Sequence, residues 1–225
     1  KTTLPNVDLT VESIFNLPSE HIGPVHMLQL QRRILDAEDN FDGVVITHGT
    51  DTLEETSFFL DSTLSVDFPI VMTGAMRSSN ELGSDGIYNY QSALRVAVND
   101  GSRNRGVLVV MNDEIHAARF VTKTHTTNVA TSGSPISGTM GLLTKRQVIY
   151  FYNLPHRHVL PITDVQKTIP VLKAYAGMDG QLLELLAASH IDGLVIEALG
   201  AGNLSREAAT GVLYLLSRHI PVAVS

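Results

Sequence analysis

The chain has 225 residues, of which 44% are hydrophobic and 17% charged, so it can bury a substantial core and is not globally disordered. Its formal net charge is -7, with acidic and basic residues mixed along the sequence, which disfavours a nucleic-acid-binding surface. The absence of cysteine excludes disulfides and thiolate chemistry, and the longest apolar runs are far shorter than the roughly 18 residues of a membrane-spanning helix.

The first half of the chain alternates between strand-like and helical segments. Apolar, β-branched runs indicate buried strands, and apolar positions that recur every three to four residues indicate helices. In chain order, the sequence predicts a helix at 29–35, a strand at 43–47, a helix at about 52–64, a strand at 69–73, a helix at about 85–99 and a strand at 106–111. Residues 132–141 are rich in glycine and serine and predict a loop or an irregular hairpin. This order is typical of an α/β fold with a doubly wound, mostly parallel sheet.

A polar segment with two prolines, residues 152–168, has little periodicity and is typical of a linker between domains. The alternation then resumes, with strands predicted at 169–175, 193–199 and 221–224, a helix at 181–188, and a helix capped by Ser205 whose apolar stripe is Ala208, Val212, Leu215 and Leu216. We therefore predict an N-terminal α/β domain at 1–150, a linker at 151–168 and a smaller C-terminal α/β domain at 169–225. Because the sequence ends as a third strand begins, this second domain is expected to be incomplete.

A polar turn, His-Gly-Thr-Asp at residues 48–51, joins the first predicted strand to the following helix. Thr52 and Glu55 have the spacing of a capping box, so Thr52 is expected to cap the helix. Thr50 and Asp51 are then free to act on a ligand, because open α/β sheets bind ligands at the carboxyl ends of their parallel strands.

Lys123 follows the strand at 106–111, which is expected to neighbour the first strand in the sheet. A lysine beside a hydroxyl can act as its base, so Lys123 and Thr50 are candidate catalytic partners. Asp51 can orient that lysine or bind a substrate ammonium group. The alternative is an ordinary turn with a lysine at the surface, because such motifs are hypotheses until their structural context is known.

Two further segments carry candidate binding residues. Ser19 either caps a following helix or, with Glu20 and Asp51, forms a site for an α-amino acid, in which hydroxyls bind the carboxylate and carboxylates bind the ammonium. Gly74 and Ala75 end the strand at 69–73 and allow a ligand to approach the backbone, so a carbonyl there can accept from a substrate amide. A plain exit from the strand is the alternative.

Metal and cofactor sites are not predicted. His156 and His158 have a spacing that a metal ion can use, but no third ligand lies near them in the sequence. The turn at 200–203, Gly-Ala-Gly-Asn, contains half of a dinucleotide-binding loop but lacks the third glycine.

Together these motifs resemble the bacterial-type L-asparaginase family, whose members hydrolyse asparagine to aspartate and ammonia. The resemblance depends on residues 47–52, 73–77, 109–113, 121–124 and 200–203 and is strongest across residues 43–128. It implies an asparaginase, a threonine-based amidohydrolase that needs no cofactor and no metal ion.

The resemblance also implies roles for single residues. Thr50 is similar to the family's second catalytic threonine, working with Lys123 and Asp51, and Thr50 and Asp51 also contact the substrate. Ser19 and Glu20 correspond to the contacts to the substrate α-carboxylate and α-ammonium groups, with Asp51 sharing the ammonium. Ala75 corresponds to the backbone contact to the side-chain amide.

Family members are homotetramers built from intimate dimers, and each site borrows residues from the partner's C-terminal domain. The resemblance therefore predicts self-association, with the turn at 200–203 as the borrowed piece, and no nucleic-acid or membrane partner. The family's N-terminal Thr-Gly-Gly-Thr-Ile motif, which carries the first threonine, does not occur in this sequence. We expect the chain to be the central portion of an asparaginase, and whether this portion alone is active stays open.

Alternative functions share this machinery or this fold. A glutaminase or a mixed glutaminase-asparaginase uses the same residues, and a related amidotransferase subunit that supplies ammonia for tRNA would need an RNA-binding module, which is not visible in the sequence. A non-catalytic amino-acid-binding fragment is the alternative from another class. A cytoplasmic location is predicted, with secreted or periplasmic locations as the alternatives.

Overall fold

A computed structural model describes residue 4, residues 7–154 and residues 158–225, and it divides the chain into two compact units, residues 1–164 and 165–225. The elements of the first unit are α1 (Pro24–Leu35), β1 (Val44–Thr47), α2 (Leu53–Thr63), β2 (Ile70–Thr73), α3 (Gly86–Ala97), β3 (Val107–Met111), β4 (Glu114–Ala117), β5 (Thr122–Lys123), β6 (Ser132–Gly133), β7 (Gly141–Leu143) and β8 (Val148–Tyr150). The predicted α/β class is confirmed. Helix α1 begins five residues earlier than predicted, because Pro24 occupies the first helical turn, where a missing N–H costs nothing.

The main sheet of this unit has the strand order β1-β2-β3-β4-β7-β8. Strands β1, β2 and β3 are parallel, whereas β4, β7 and β8 each run antiparallel to the strand before them in that order. Thr47 at the end of β1 pairs with Thr73 at the end of β2. The polar turns that follow these two strands therefore begin side by side at one edge of the sheet.

The antiparallel half of the sheet was not predicted from the sequence. It begins with a two-residue hairpin turn between β3 and β4, in which Asn112 and Asp113 have φ angles of 50° and 64°. Two successive positive φ angles are typical of a type I′ turn, which Asn and Asp tolerate better than most residues. The Asn-Asp pair after an apolar run was thus a signal for this hairpin. The predicted irregular segment at 132–141 contains β6 and reaches the first residue of β7.

Both faces of the main sheet are covered by helices, as a doubly wound fold requires. Along β2, Ile70 and Met72 belong to one hydrophobic cluster, which α1 and α2 also line, while Val71 belongs to a second cluster that includes residues of α3. These three strand residues are at most 1% exposed. Each fully buried aliphatic side chain contributes about 1.5–3 kcal/mol to the stability of the fold. The strands that precede the candidate residues are therefore stably packed.

The second unit contains β9 (Val171–Lys173), α4 (Gln181–Ala188), β10 (Leu194–Glu197), α5 (Arg206–Ser217) and β11 (Val222–Val224), with the parallel order β11-β10-β9. Ser205 caps α5 as predicted, since its Oγ accepts from the backbone N–H of Ala208 at 3.0 Å. Leu215 is fully buried, but Leu216 is 48% exposed, so its place in the predicted apolar stripe is wrong. One helical position turns the side chain by about 100°, which carries Leu216 away from the core.

Within the described part of the chain, no helix has the combination of length and apolar character needed to cross a membrane.

A buried histidine on β4 gives the first unit a pH-dependent stability. His116 is 0% exposed; its Nδ1 lies 2.9 Å from Ser134 Oγ, and its Nε2 lies 3.2 Å from Glu114 Oε2 without hydrogen-bond geometry. Burial lowers the pKa of His116 from 6.5 to about 4. Between these two pH values the unfolded chain binds a proton that the folded chain excludes, so the free energy of unfolding falls as the pH falls through that window.

We expect a His116→Gln variant to remove up to about 3 kcal/mol of this pH dependence between pH 6.5 and pH 4. Urea unfolding at pH 7 and pH 4 measures the difference, and the exposed His190 offers a matched control, His190→Gln. An unchanged pH dependence in His116→Gln would show that the buried ring does not cause it.

Candidate functional site

The turn after β1 is held in place by His48. Its Nδ1 lies 2.7 Å from the carbonyl oxygen of Gly49, and its Nε2 lies 3.0 Å from Oγ1 of Thr56, a fully buried residue of α2. The imidazole thus joins the turn to the helix that follows it. This places Thr50 and Asp51 at the carboxyl edge of the sheet, where the sequence predicts a ligand site.

Lys123 contacts both polar residues of that turn. Its Nζ donates to Thr50 Oγ1 at 3.0 Å and forms an ion pair with Asp51 Oδ1 at 2.5 Å. The lysine side chain is 21% exposed and that of Asp51 is 63% exposed, so the pair lies at the boundary between protein and solvent. The three residues predicted to act together are therefore in direct contact.

Glu54 is a further residue of this site that sequence reasoning missed. Its Oε2 accepts from the backbone N–H of Lys123 at 2.6 Å, which ties the first turn of α2 to strand β5. An acidic residue in a first helical turn is ordinarily explained by the helix dipole, so no sequence pattern assigns it another partner.

Ser19 is buried against the same turn. Its Oγ accepts from the backbone N–H of Asp51 at 3.3 Å, and its carbonyl oxygen accepts from Thr52 Oγ1 at 2.6 Å. A Cβ on Gly49 would lie only 2.7 Å from Ser19 Oγ, so this close approach requires glycine.

Two capping predictions are wrong. Thr52 precedes α2 but makes no side-chain cap, because its hydroxyl donates to the Ser19 carbonyl instead. Ser19 does not cap a long helix either, since it begins only the three-residue 3₁₀ helix Ser19–His21. Both hydroxyls form hydrogen bonds between the segment at Ser19 and the turn before α2, and neither caps a helix.

The next strand brings its terminal residues to the same place. A Cβ on the buried Gly74 would lie 2.6 Å from the carbonyl oxygen of His48 and 3.1 Å from Thr50 Cγ2, so the two turns are in contact. Ala75, the next residue, is exposed. Glu20 follows Ser19 and is also exposed, and its carboxylate makes no hydrogen bond or ion pair with the residues that the structure describes.

The remaining sequence motifs belong to the second unit or fall outside the described residues. His156 belongs to the part of the chain that is not described, and the described residues contain no group of three or more His, Asp or Glu side chains suited to a metal ion. In the second unit, Leu199 and Asn203 bond to each other through their backbones and enclose Gly200 and Gly202, whose φ angles are 58° and 95°. Both glycines occupy the left-handed region that this turn requires.

A cavity of about 450 Å³ lies elsewhere in the first unit, beside Arg95, Val98 and Arg146. It contains none of the predicted side chains, and no pair of its residues offers a nucleophile with a base. Chemistry rather than cavity size therefore identifies the site around Thr50.

The fold and the site define an α/β protein with a lysine, a threonine and an aspartate in contact at the carboxyl edge of a parallel sheet. Residues 2–156 match the family model described as asparaginase, N-terminal, and residues 168–225 match that of the glutaminase/asparaginase C-terminal domain. The chain belongs to the asparaginase family, as the sequence resemblance predicted.

Similar proteins come from several bacteria. A probable L-asparaginase of Deinococcus radiodurans is 42% identical over 209 residues, covering 91% of this chain and 64% of its own length. L-asparaginase 2 of Escherichia coli is 36% identical over 228 residues, covering 95% and 66%. The chain therefore spans slightly less than two thirds of these relatives.

A solved structure shows the same fold. The crystal structure of a probable cytoplasmic L-asparaginase from Campylobacter jejuni matches with a TM-score of 0.91 and 34% sequence identity, covering 97% of this chain and 72% of that one.

Proposed function

We propose that the full-length protein hydrolyses the side-chain amide of L-asparagine to give L-aspartate and ammonia. The observation that carries this proposal is the contact of Lys123 Nζ with both Thr50 Oγ1, at 3.0 Å, and Asp51 Oδ1, at 2.5 Å. A hydroxyl, a base and a carboxylate that orients the base are the parts that nucleophilic or water-activating amide hydrolysis needs. Membership of the asparaginase family and relatives named L-asparaginase support the choice of substrate.

In this mechanism Lys123 first releases the proton of its ion pair with Asp51 to solvent, and its amine then takes the hydroxyl proton of Thr50. If the Thr50 oxygen attacks the amide carbon, the C–N bond breaks as the leaving nitrogen takes a proton from Lys123 and departs as ammonia, and water then hydrolyses the acyl ester to release L-aspartate and restore Thr50. If Thr50 activates a water instead, that water attacks the amide carbon and L-aspartate and ammonia form directly. The Asp51 carboxylate stabilises the ammonium group that forms on Lys123. Glu54 fixes the backbone from which the lysine side chain extends.

Substrate binding is assigned to residues that border these three. Ser19 would bind the substrate α-carboxylate, while Glu20 and Asp51 would bind the α-ammonium group, since carboxylates accept strong charge-assisted hydrogen bonds. Glu20 and Ala75 are both exposed residues, and no described residue bonds to the Glu20 carboxylate or donates to the Ala75 carbonyl. The Ala75 carbonyl would accept from the side-chain amide.

A Thr50→Val variant tests the proposal, because valine keeps the shape of threonine and removes the hydroxyl. We expect the rate of ammonia release from asparagine to fall by about 10²- to 10⁴-fold, the usual contribution of a proton-transfer partner. Thr50→Ser restores a hydroxyl and should recover part of the rate. A coupled assay of ammonia gives kcat and KM for each variant.

Thr210→Val is the matched control, since Thr210 is exposed and, among the described residues, its hydroxyl bonds only to the carbonyl of Arg206 in its own helix. An unchanged kcat in Thr50→Val would contradict the assignment. Faster ammonia release from glutamine than from asparagine would favour the glutaminase alternative. Binding of aspartate without release of ammonia from either amide would favour a non-catalytic binding protein.

We also propose that residues 1–150 form the asparaginase N-terminal domain, joined by a linker at 151–168 to the C-terminal domain at 169–225. Homodimers or homotetramers are expected from the family, and light scattering of the purified protein measures this. The name of the Campylobacter jejuni protein supports a cytoplasmic location.

A further inference from the structure

Asp85 stands immediately before α3, but its carboxylate does not cap that helix. Oδ1 accepts from the backbone N–H groups of Met76 and Arg77 at 3.1 and 2.9 Å, and Oδ2 accepts from that of Met76 at 3.0 Å. The carboxylate therefore forms its backbone hydrogen bonds with the segment that follows β2 and not with α3. Substituting it does not remove a helix cap.

Asn89, one turn further along α3, is 1% exposed and joins three parts of the unit. Its Nδ2 donates to the carbonyl oxygen of Gly74 and to Asp85 Oδ2, both at 3.0 Å. Its Oδ1 accepts from the backbone N–H of Asn112, in the β3–β4 turn, at 3.0 Å. The side chain amide thus connects the ends of β2 and β3 to the start of α3.

These contacts fix the orientation of two successive peptide groups. Asn89 holds the carbonyl of the peptide between Gly74 and Ala75, and Asp85 holds the N–H of the peptide between Ala75 and Met76. The described chain has no cis peptide bond, so the Ala75 carbonyl must point opposite to the Met76 N–H, away from Asp85. No described residue donates to that carbonyl oxygen, which leaves it available to a ligand.

We propose that Asp85 and Asn89 are positioning residues that aim the Ala75 carbonyl at the side-chain end of the substrate and so make the site prefer an amide to a carboxylate. This inference rests on the proposed function. A carbonyl oxygen accepts from the NH₂ group of asparagine, whereas it offers nothing but repulsion to the carboxylate of aspartate. The same contact therefore favours binding of the substrate and release of the product.

An Asp85→Ala variant of the full-length protein tests the proposal. A carbonyl displaced by about 1 Å is enough to lower kcat/KM for asparagine by about 10²-fold, and the inhibition constant of aspartate should change by less than about threefold. Asp85→Asn keeps one acceptor oxygen for the Met76 N–H, so it should recover part of the loss.

Asn89→Asp provides a second variant in case Asp85→Ala fails to fold. It nearly preserves the shape, removes the donated hydrogen bonds and places a second carboxylate beside Asp85, so the same selective loss for asparagine is expected. Gln91→Ala is the control, since Gln91 is exposed on the same helix. Amide hydrogen exchange at Met76 and Arg77 gives a readout that needs no turnover, and exchange should accelerate in Asp85→Ala.

Equal losses for asparagine and aspartate would overturn the inference, because they would indicate a general structural role. Unchanged kinetics in both variants would overturn it as well. Equilibrium binding separates this result from a failure of the proposed function. If the wild-type protein releases no ammonia yet binds asparagine more tightly than aspartate, and Asp85→Ala loses that preference, the proposed function fails and the positioning role stands. If the wild-type protein shows no such preference, the positioning role is overturned.

Discussion

Replacing Lys123 by Met is expected to lower kcat for ammonia release by about 10³-fold while leaving the fold intact. Methionine keeps the length and the apolar stem of lysine, but it can neither take the proton of Thr50 nor pair with Asp51. The lysine side chain is only 21% exposed, and the methionine side chain would bury a similar apolar stem. The buried hydrophobic surface therefore changes little. Because the lost group acts on the reacting hydroxyl, kcat should fall much more than KM rises.

Lys173→Met is the matched control, because Lys173 pairs with Glu197 at the surface of the second unit and its side chain is 72% exposed. Its kcat should equal that of the wild-type protein, and thermal unfolding should show both variants folded. A wild-type kcat in Lys123→Met would rule out the lysine as the base. A fall in kcat that Lys173→Met shares would point to an effect of surface charge instead.

Replacing Arg119 by Leu is expected to lower the free energy of unfolding by about 3–5 kcal/mol. Asp61, on α2, is 2% exposed, and its Oδ2 accepts from Arg119 Nη2 and Nε at 2.7 and 3.0 Å. Its Oδ1 accepts from the backbone N–H of Val107, the first residue of β3, at 2.9 Å. Removing the guanidinium deprives a buried carboxylate of its strongest partner, which costs far more than breaking a pair at the surface. Urea denaturation measures the change.

Arg33→Leu provides the comparison, because Arg33 also contacts both oxygens of a carboxylate, that of Glu12, but at an exposed position. There we expect little or no loss of stability, since solvent screens the pair. Replacing Asp61 and Arg119 together by leucine should recover part of the stability that Arg119→Leu loses. Equal effects of Arg119→Leu and Arg33→Leu would show that burial does not govern the cost.

The parallel half of the main sheet was predictable because its strands are continuous apolar runs, and its helices carry clear periodicity. The place of Thr50 and Asp51 was foreseeable for the same reason, since ligand-binding residues lie at the carboxyl ends of parallel strands. Lys123 comes to them by another route, because the antiparallel β4 lies between β3 and its own strand, β5. Their assigned roles stay predictions. Lys123 itself lies on a strand of two residues, which no local pattern identifies.

The sequence did not indicate which side chains form hydrogen bonds with distant segments of the chain. Thr52 has the spacing of a cap, yet Ser19 lies close enough to take its hydroxyl instead. Glu54 and Asp85 occupy positions where the helix dipole explains an acidic residue, so nothing in the sequence indicated that both hold backbone N–H groups of other segments. Asn89 lies within the first turns of α3, and nothing in the sequence indicates its three partners in other segments.

The site also has a consequence for how this chain folds. The contact between Lys123 and Thr50 spans 73 residues of sequence, so a long loop has to close for it to form. Closing so long a loop has an entropic cost, which the contacts of the folded sheet offset. A ligand of this site is therefore expected to bind the folded chain and not the unfolded chain. A ligand of the site should raise the midpoint of thermal unfolding without binding any partly folded form.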